Sequence, residues 1–178
     1  MTKTLFTVLL GCVFLCGEAL AVPSFEDVRK GYLKSDCLLL DRYGEVIHEL
    51  RTNPGGRRLD WTALQDISPA VQEAVIQAED RRFYHHGGVD YRAMTGALLR
   101  GMTSTSFRGA STITMQLASM LDRKLLPVKG KRSFFQKWKQ IGAAFEIEET
   151  WSKKEILEAY LNLVTYRGEL QGIAAASK

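Results

Sequence analysis

Cysteine is scarce in this sequence, and its scarcity limits the chemistry. Only three of the 178 residues are cysteine, and Cys12 and Cys16 lie in an N-terminal segment with the features of an export signal. Cys37 would be the only cysteine of a cleaved product, so an internal disulfide is excluded. No set of cysteine and histidine residues has zinc-site spacing. Because Cys37 stands beside the leucines at 38–40, we expect it to be a small residue of the hydrophobic core.

The N-terminus lacks an apolar run long enough to be identified as a membrane-spanning helix. Lys3 precedes an apolar stretch at 5–15, and the Ala-Leu-Ala sequence at 19–21 has the small-x-small pattern of a cleavage site. This arrangement predicts an export signal over residues 1–21. Cleavage, retention as an uncleaved membrane anchor, and lipid attachment at a box over 9–12 all stay open.

Acidic residues are absent from one stretch of the second half of the chain. The net charge is +4, and removal of the signal leaves it unchanged because Lys3 and Glu18 cancel. The stretch from 123 to 139 contains only basic charges, at Arg123, Lys124, Lys129, Lys131, Arg132, Lys137 and Lys139. Such a run is usually a solvated face, but in an exported protein it can also meet phosphate or an anionic membrane surface. Export argues against a nucleic-acid partner.

Repeats are absent, and the hydrophobic periodicity indicates a mainly α domain with a small N-terminal β-hairpin. Residues 22–36 are predicted to be a linker, and residues 37–51 a hairpin that turns at 41–44. Helices are predicted from Ser68-Pro69, over about 91–102, from Ser111 or Thr112, over about 133–149, and from a capping box formed by Ser152 and Glu155. One face of the fourth carries Phe134, Phe135, Trp138, Ile141 and Phe145. The sequence stops at 174–178 inside a further predicted helix, as expected of a C-terminally truncated domain.

The densest cluster of polar residues lies at 79–90. Glu79 and Asp80 end an apolar helix and lead into a turn that contains two histidines and two glycines. A carboxylate at the end of a buried helix is partly desolvated, which raises its pKa and suits it to proton transfer. The alternative is an ordinary helix end whose acids pair with Arg81 and Arg82, and composition alone favours this alternative.

A second cluster, at 108–116, places small residues and hydroxyls at a helix start. Free backbone N–H groups at such a start can form an anion-binding nest. Capping by serine or threonine is the common alternative, and on this segment alone it is the better interpretation.

The order of these segments resembles one known family. E-D-x-x-F-x-x-H-x-G at 79–88 is followed by G-A-S-T-I-T-M-Q at 109–116, the basic stretch, K-K-E-I-L-E-A-Y-L-N at 153–162 and R-G-x-L-Q-G-I-A-A-A at 167–176. This series closely resembles glycosyltransferase family 51, the peptidoglycan glycosyltransferases of penicillin-binding proteins, from about residue 37 to the end. The details at 115–122 and 170–173 most resemble the penicillin-binding protein 1C type.

The resemblance implies a lysozyme-like helical domain, over residues 37–178, at the periplasmic face of the inner membrane. Such domains polymerise lipid II into β-1,4 glycan strands and release undecaprenyl pyrophosphate. Lipid II, the nascent strand and the membrane surface are thus the implied partners, together with other cell-wall synthesis proteins. Glu79 would be the general base on the acceptor sugar hydroxyl.

The resemblance also implies roles for further residues. Pyrophosphate binding falls to Arg132 and Lys139, while the donor site would be shaped by Gly109, Ser111, Thr112 and Gln116. Residues expected to support the site are Asp80, Phe83, His86 and Gly88, and two further candidates are Asn162 and Arg167.

Three positions depart from the family pattern. Gln140 replaces a glutamate often treated as a second catalytic carboxylate, Gly96 an arginine, and Ser119 a basic residue. Gln140 is still expected at the substrate site, but an amide cannot help to hold a divalent cation such as Mg²⁺, so metal dependence stays open. A catalytically inactive lipid II-binding or assembly fragment is the alternative function, and a lysozyme-like hydrolase is a third.

Overall fold

The described chain is built mainly from helices. The computed structural model describes residues 22–53, 56–101, 111–122, 125 and 134–178, with the backbone only at 97–101 and 134. The helices are α1 Phe25–Lys30, α2 Pro69–Glu79, α3 Tyr91–Gly101, α4 Ile113–Leu121, α5 Phe134–Thr150, α6 Lys153–Leu163 and α7 Ile173–Ala176. The strands are β1 Asp36–Leu40, β2 Val46–Arg51, β3 Arg57–Arg58 and β4 Leu170–Gln171. The predicted fold class, mainly α with an N-terminal hairpin, is confirmed.

Strands β1 and β2 form the predicted antiparallel hairpin. The Asp41 carboxylate accepts the backbone N–H groups of Tyr43 and Glu45 and so shapes the turn. Leu38 and Leu39 point to opposite faces of the hairpin and are 42% and 50% exposed. The prediction that Cys37 is a core residue is wrong, because it is exposed on a two-stranded sheet that projects from the helical core.

Helix α1 lies inside the segment that the sequence predicts as a linker. The ring of Phe25 packs edge-on against Trp61 and Trp151, with centroids 6.1 and 5.5 Å apart. The Trp151 indole also donates to the carbonyl oxygen of Pro23 over 3.2 Å. A helix of six residues is too short to show periodicity in the sequence. These contacts join the segment to the core.

Helices α4, α5 and α6 form the centre of the core. Their fully buried side chains include Ile113, Met115, Leu117, Ile147, Ile156, Leu157 and Leu161. The capping box that opens α6 is confirmed, since Ser152 and Glu155 exchange side-chain and backbone hydrogen bonds. The apolar residues of this helix at 156, 157 and 161 are fully buried, and its polar residues contact other elements.

Two polar residues of α6 hold the segment at 61–64. The amide of Asn162 accepts from the backbone N–H of Thr62 and donates to its carbonyl oxygen, both over 2.8 Å. The Glu158 carboxylate accepts from the Trp61 indole and from the backbone N–H of Leu64. Asn162 is 1% exposed, so its hydrogen bonds are spent inside the fold.

Strands β3 and β4 pair in parallel and join the residues after the hairpin to those before α7. Within the ranges that the structure describes, no helix is long and apolar enough to cross a bilayer. The predicted export signal at 1–21 lies outside those ranges. The predicted domain limits and truncation stay predictions.

Gly88 stands where the loop before α3 passes against α5. Its φ is +85°, and a Cβ there would lie 2.9 Å from the carbonyl oxygen of Ala144. Its own carbonyl oxygen accepts the hydroxyl of Thr112 over 2.5 Å. The loop is therefore held to both α4 and α5, and only glycine combines this conformation with so close an approach.

We expect Gly88→Ala to lower the free energy of unfolding by about 3 kcal/mol, because it adds backbone strain to a steric clash. Urea unfolding of the full chain measures the change. Gly87→Ala is the matched control: a Cβ there meets nothing within 4 Å, and the expected change is below about 0.5 kcal/mol. Equal effects of the two substitutions would contradict the assigned loop geometry.

Candidate active site

Glu79 is the last residue of α2 and is exposed. The helix starts with Pro69 at its first position and ends because Asp80 leaves the helical conformation, with φ −158° and ψ 75°. The prediction of a desolvated Glu79 is therefore wrong, since the helix end opens to solvent. The alternative, in which these acids pair with the following arginines, is also wrong: Arg82 pairs with Asp90, and Arg81 donates to the carbonyl oxygen of Gln77.

The pair between Arg82 and Asp90 closes the loop after Glu79. The guanidinium Nε of Arg82 lies 2.9 Å from Oδ2 of Asp90, and Oδ1 of the same carboxylate accepts the backbone N–H of Ala93. Burial alone would raise the pKa of Asp90, but these hydrogen bonds outweigh burial and lower it. The carboxylate thus stabilises the start of α3 as well as the loop.

Asp80 connects the end of α2 to the start of α4. Its carboxylate is buried, lies 2.9 Å from Nε2 of His86 and accepts the backbone N–H of Ile113 over 3.1 Å. The carbonyl oxygen of His86 accepts from Lys153, whose ammonium also lies 4.4 Å from the ring centre of Phe83. Three of the residues predicted to hold the loop, Asp80, Phe83 and His86, are thus linked to one another next to Glu79.

The connection places Glu79 beside Gln116. The side-chain amide nitrogen of Gln116 donates to Oε2 of Glu79 over 2.9 Å. Its amide oxygen accepts the hydroxyl of Tyr160 over 3.3 Å. The motif at 109–116 predicts Gln116 as a site residue, but no sequence pattern singled out Tyr160. The sequence offered one clue, which is that Tyr160 is a residue with a polar hydroxyl among the buried apolar residues of α6.

At the start of α4, two donors of the predicted anion-binding nest are already used, and residues 108–110 of that nest lie outside the described residues. The backbone N–H of Ile113 donates to Asp80, and that of Met115 donates to the hydroxyl of Thr112. Thr112 is 2% exposed, and its hydroxyl donates a hydrogen bond to the carbonyl oxygen of Gly88. These two donors are not available to an anion, because the protein's own side chains cap them.

The ammonium group of Lys137 lies close to the start of α4. It donates to the hydroxyl of Ser111 over 2.8 Å and to the amide oxygen of Gln140 over 3.2 Å. Lys139 lies about 200° further round α5 and stacks on Phe135, with its nitrogen 4.8 Å from the ring centre. Sequence analysis counted Lys137 only as part of the basic run. The structure thus joins Ser111 to Lys137 and not to Lys139.

Two of the departures from the family pattern contact each other. Gln140 is fully buried, and its amide nitrogen donates to the hydroxyl of Ser119 over 2.8 Å and to the carbonyl oxygen of Met115 over 2.6 Å. Because both amide hydrogens are used in this way, the amide oxygen is left for Lys137. Gln140 therefore lies behind Lys137 as part of a neutral hydrogen-bonded set.

Of the remaining predicted site residues, two are not described and one lies apart from these contacts. Gly109 and Arg132 are outside the described residues. Arg167 is exposed in the turn before β4, where its carbonyl oxygen accepts the backbone N–H of Leu170. Gly96 lies within α3 and is half-buried. Across the described residues, no cluster of three carboxylate, imidazole or thiol side chains is placed to share a metal ion.

We expect Gln140→Glu to destabilise the fold by about 3 kcal/mol, because a buried carboxylate replaces two amide donors and faces the carbonyl oxygen of Met115. Thermal and urea unfolding of the full chain measure the loss. Gln65→Glu makes the same change at an exposed residue and should alter stability by less than about 0.5 kcal/mol. A Gln140→Glu variant as stable as this control would rule out the buried set.

Comparison with known proteins shows to which family the chain belongs. Residues 43–178 match the model of the transglycosylase family. The chain is 41% identical over 119 residues to a biosynthetic peptidoglycan transglycosylase of Mannheimia succiniciproducens, and this match covers 67% of the chain and 47% of the relative. It is 38% identical over 128 residues to penicillin-binding protein 2D of Bacillus subtilis, covering 71% of the chain and 18% of that protein.

A match to penicillin-binding protein 1A of Neisseria cinerea runs over the whole chain, at 33% identity across 191 aligned residues, and covers 22% of that protein. The chain thus spans about half the length of the shorter curated relatives and about a fifth of the penicillin-binding proteins. The finer resemblance to the 1C type stays a prediction. The family model covers most of the chain, and the chain belongs to the transglycosylase family.

Proposed function

We propose that this chain is a peptidoglycan glycosyltransferase that polymerises lipid II into β-1,4 glycan strands during cell-wall synthesis. The observation that carries the proposal is the exposed Glu79 carboxylate, which is held through Oε2 by Gln116. Among the described residues, none donates to Oε1 of Glu79. A carboxylate with one oxygen held by the protein and the other without a donor among the described residues suits a general base for a bound hydroxyl.

Glu79 takes the proton of the acceptor sugar 4-hydroxyl as that oxygen attacks the anomeric carbon of the donor. A new glycosidic C–O bond forms, the bond to pyrophosphate breaks with inversion, and the leaving group keeps the electron pair. Alignment of base, hydroxyl and anomeric carbon supplies much of the acceleration.

Negative charge develops on the pyrophosphate and requires cations nearby. Lys137 is the described cation at the start of α4, the helix that also carries Gln116. Ser111 and Gln140 direct its ammonium, so we assign it a role beside the predicted Arg132 and Lys139. The neutral pair of Ser119 and Gln140 does not remove the general base, and this favours an active enzyme over an inactive fragment.

We expect Glu79→Gln to lower polymer formation from labelled lipid II by about 1000-fold, the contribution typical of a general base. Gel analysis of the glycan products measures the loss. Glu73→Gln is the matched control, an exposed glutamate on the same helix, and should change the rate by less than twofold. A wild-type chain that forms no polymer, or a Glu79→Gln variant that remains active, would end the proposal.

The same function calls for contact with the membrane that holds lipid II, and one face of α5 is suited to that contact. Phe135 is 67% exposed and Trp138 58% exposed, and Lys139 follows on the same face. Sequence analysis had placed both aromatic rings on one face of this helix, and the structure turns these two outward. Exposed aromatic residues beside a lysine are typical of an interfacial helix, so we propose that this face lies on the periplasmic surface of the inner membrane.

Brominated lipids in anionic vesicles are expected to quench the fluorescence of Trp138 in the full chain. Trp138→Phe should remove most of the quenching, and Phe135→Ser should reduce it, because each substitution changes the inserted face. Tyr91→Ser alters an exposed aromatic residue on α3 and is the matched control. Quenching that survives Trp138→Phe would place a different surface on the membrane.

A further inference from the structure

Side chains from three helices meet in a line that ends at Glu79. Glu79 ends α2, Gln116 lies on α4 and Tyr160 lies on α6. The amide nitrogen of Gln116 lies 2.9 Å from Oε2 of Glu79, and its amide oxygen lies 3.3 Å from the hydroxyl of Tyr160. Each end of the amide therefore has its own partner.

The partners determine which way the amide points. An ionised carboxylate only accepts hydrogen bonds, so the amide nitrogen of Gln116 must face Glu79. The amide oxygen then faces Tyr160, which must donate. Burial and the negative charge of Glu79 both raise the pKa of Tyr160, so its hydroxyl keeps the proton that it donates. A reversed amide would place its oxygen against the carboxylate and lose the hydrogen bond to Glu79, while the Tyr160 hydroxyl would have to accept from the amide nitrogen instead of donating to the amide oxygen.

Tyr160 is held more firmly than the carboxylate at the other end of the line. It is 3% exposed, and its neighbours Leu157 and Leu161 on α6 are fully buried. Asn162, on the same helix, is bonded to the backbone of Thr62. Glu79 is exposed at a helix end, where a long side chain otherwise samples several rotamers. The line thus connects a rigid core residue to a carboxylate that needs an external restraint.

We propose that Tyr160 is a positioning residue for the general base: its hydroxyl orients the amide of Gln116, and that amide holds Oε2 of Glu79 and leaves Oε1 for the acceptor hydroxyl. The inference rests on the proposed function of Glu79. Tyr160 does not contact the substrate. It acts on the reaction only through Gln116.

Tyr160→Phe tests this directly, because it removes one oxygen atom and keeps the buried ring. We expect kcat for lipid II polymerisation to fall about tenfold with KM unchanged, as for the loss of one hydrogen bond that aligns a reacting group. Tyr166→Phe is the matched control: its hydroxyl donates to the carbonyl oxygen of Leu161 over 3.5 Å, and kcat should stay within twofold. Equal kcat values for Tyr160→Phe and this control would overturn the proposal.

A double substitution separates this role from simple packing. Gln116→Met should lower kcat at least as much as Tyr160→Phe, and adding Tyr160→Phe to it should lower kcat no further. Independent effects that multiply in the double variant would show that Tyr160 does not act through Gln116, and would overturn the proposal.

A spectroscopic measurement tests whether Tyr160 orients the amide of Gln116, and it does not depend on enzymatic activity. In the ¹⁵N-labelled full chain, the side-chain amide signals of Gln116 should shift and exchange faster with water in Tyr160→Phe, and should stay unchanged in Tyr166→Phe. If the wild-type chain makes no polymer, the proposed function fails while this measurement still tests the amide orientation. Amide signals that are identical in Tyr160→Phe and the wild type would refute it.

Discussion

The buried carboxylate of Asp80 is the contact on which the site depends. It accepts the first backbone N–H of α4, from Ile113, and lies against the imidazole of His86. Because Asp80 follows Glu79 directly, this bond brings the exposed carboxylate beside Gln116. A hydrogen bond to a charged group in a dry environment is strong, and leaving the charge unpaired there would be costly. The position of Glu79 therefore depends on Asp80, which takes no part in the proposed reaction.

Helix α4 organises polar contacts on both of its sides. Its start meets Asp80 and the capping hydroxyl of Thr112, and Gln116 one turn later meets Glu79. On the side facing α5, Gln140 directs Lys137 toward Ser111. A buried helix can carry such groups only when each donor and acceptor has a partner. The base is thus held by α4, and the cation is held by α5 and by Ser111, which precedes α4.

Much of this arrangement could be predicted from residue patterns. The helix starts at Ser68-Pro69 and Ser152, the hairpin, and the choice of Glu79 and Gln116 all followed from local signals and from motif order. Burial was harder to predict. Cys37 stands among leucines but is exposed, because a two-stranded sheet buries a face only where another element covers it. Tyr160 was missed because the sequence shows a tyrosine among apolar residues but does not show where its hydroxyl points.

Local sequence alone determined where helices begin, which residue types are present and in what order, because capping, periodicity and turn chemistry act over a few positions. The sequence also determined membership of the family, since the order of the motifs can be read without a structure. Only the tertiary structure decided that Glu79 is exposed, that Ser119 and Gln140 bond to each other, and that Lys137 reaches Ser111. Those facts depend on groups far apart in the chain, whose distances are set by how α4 packs between α5 and α6.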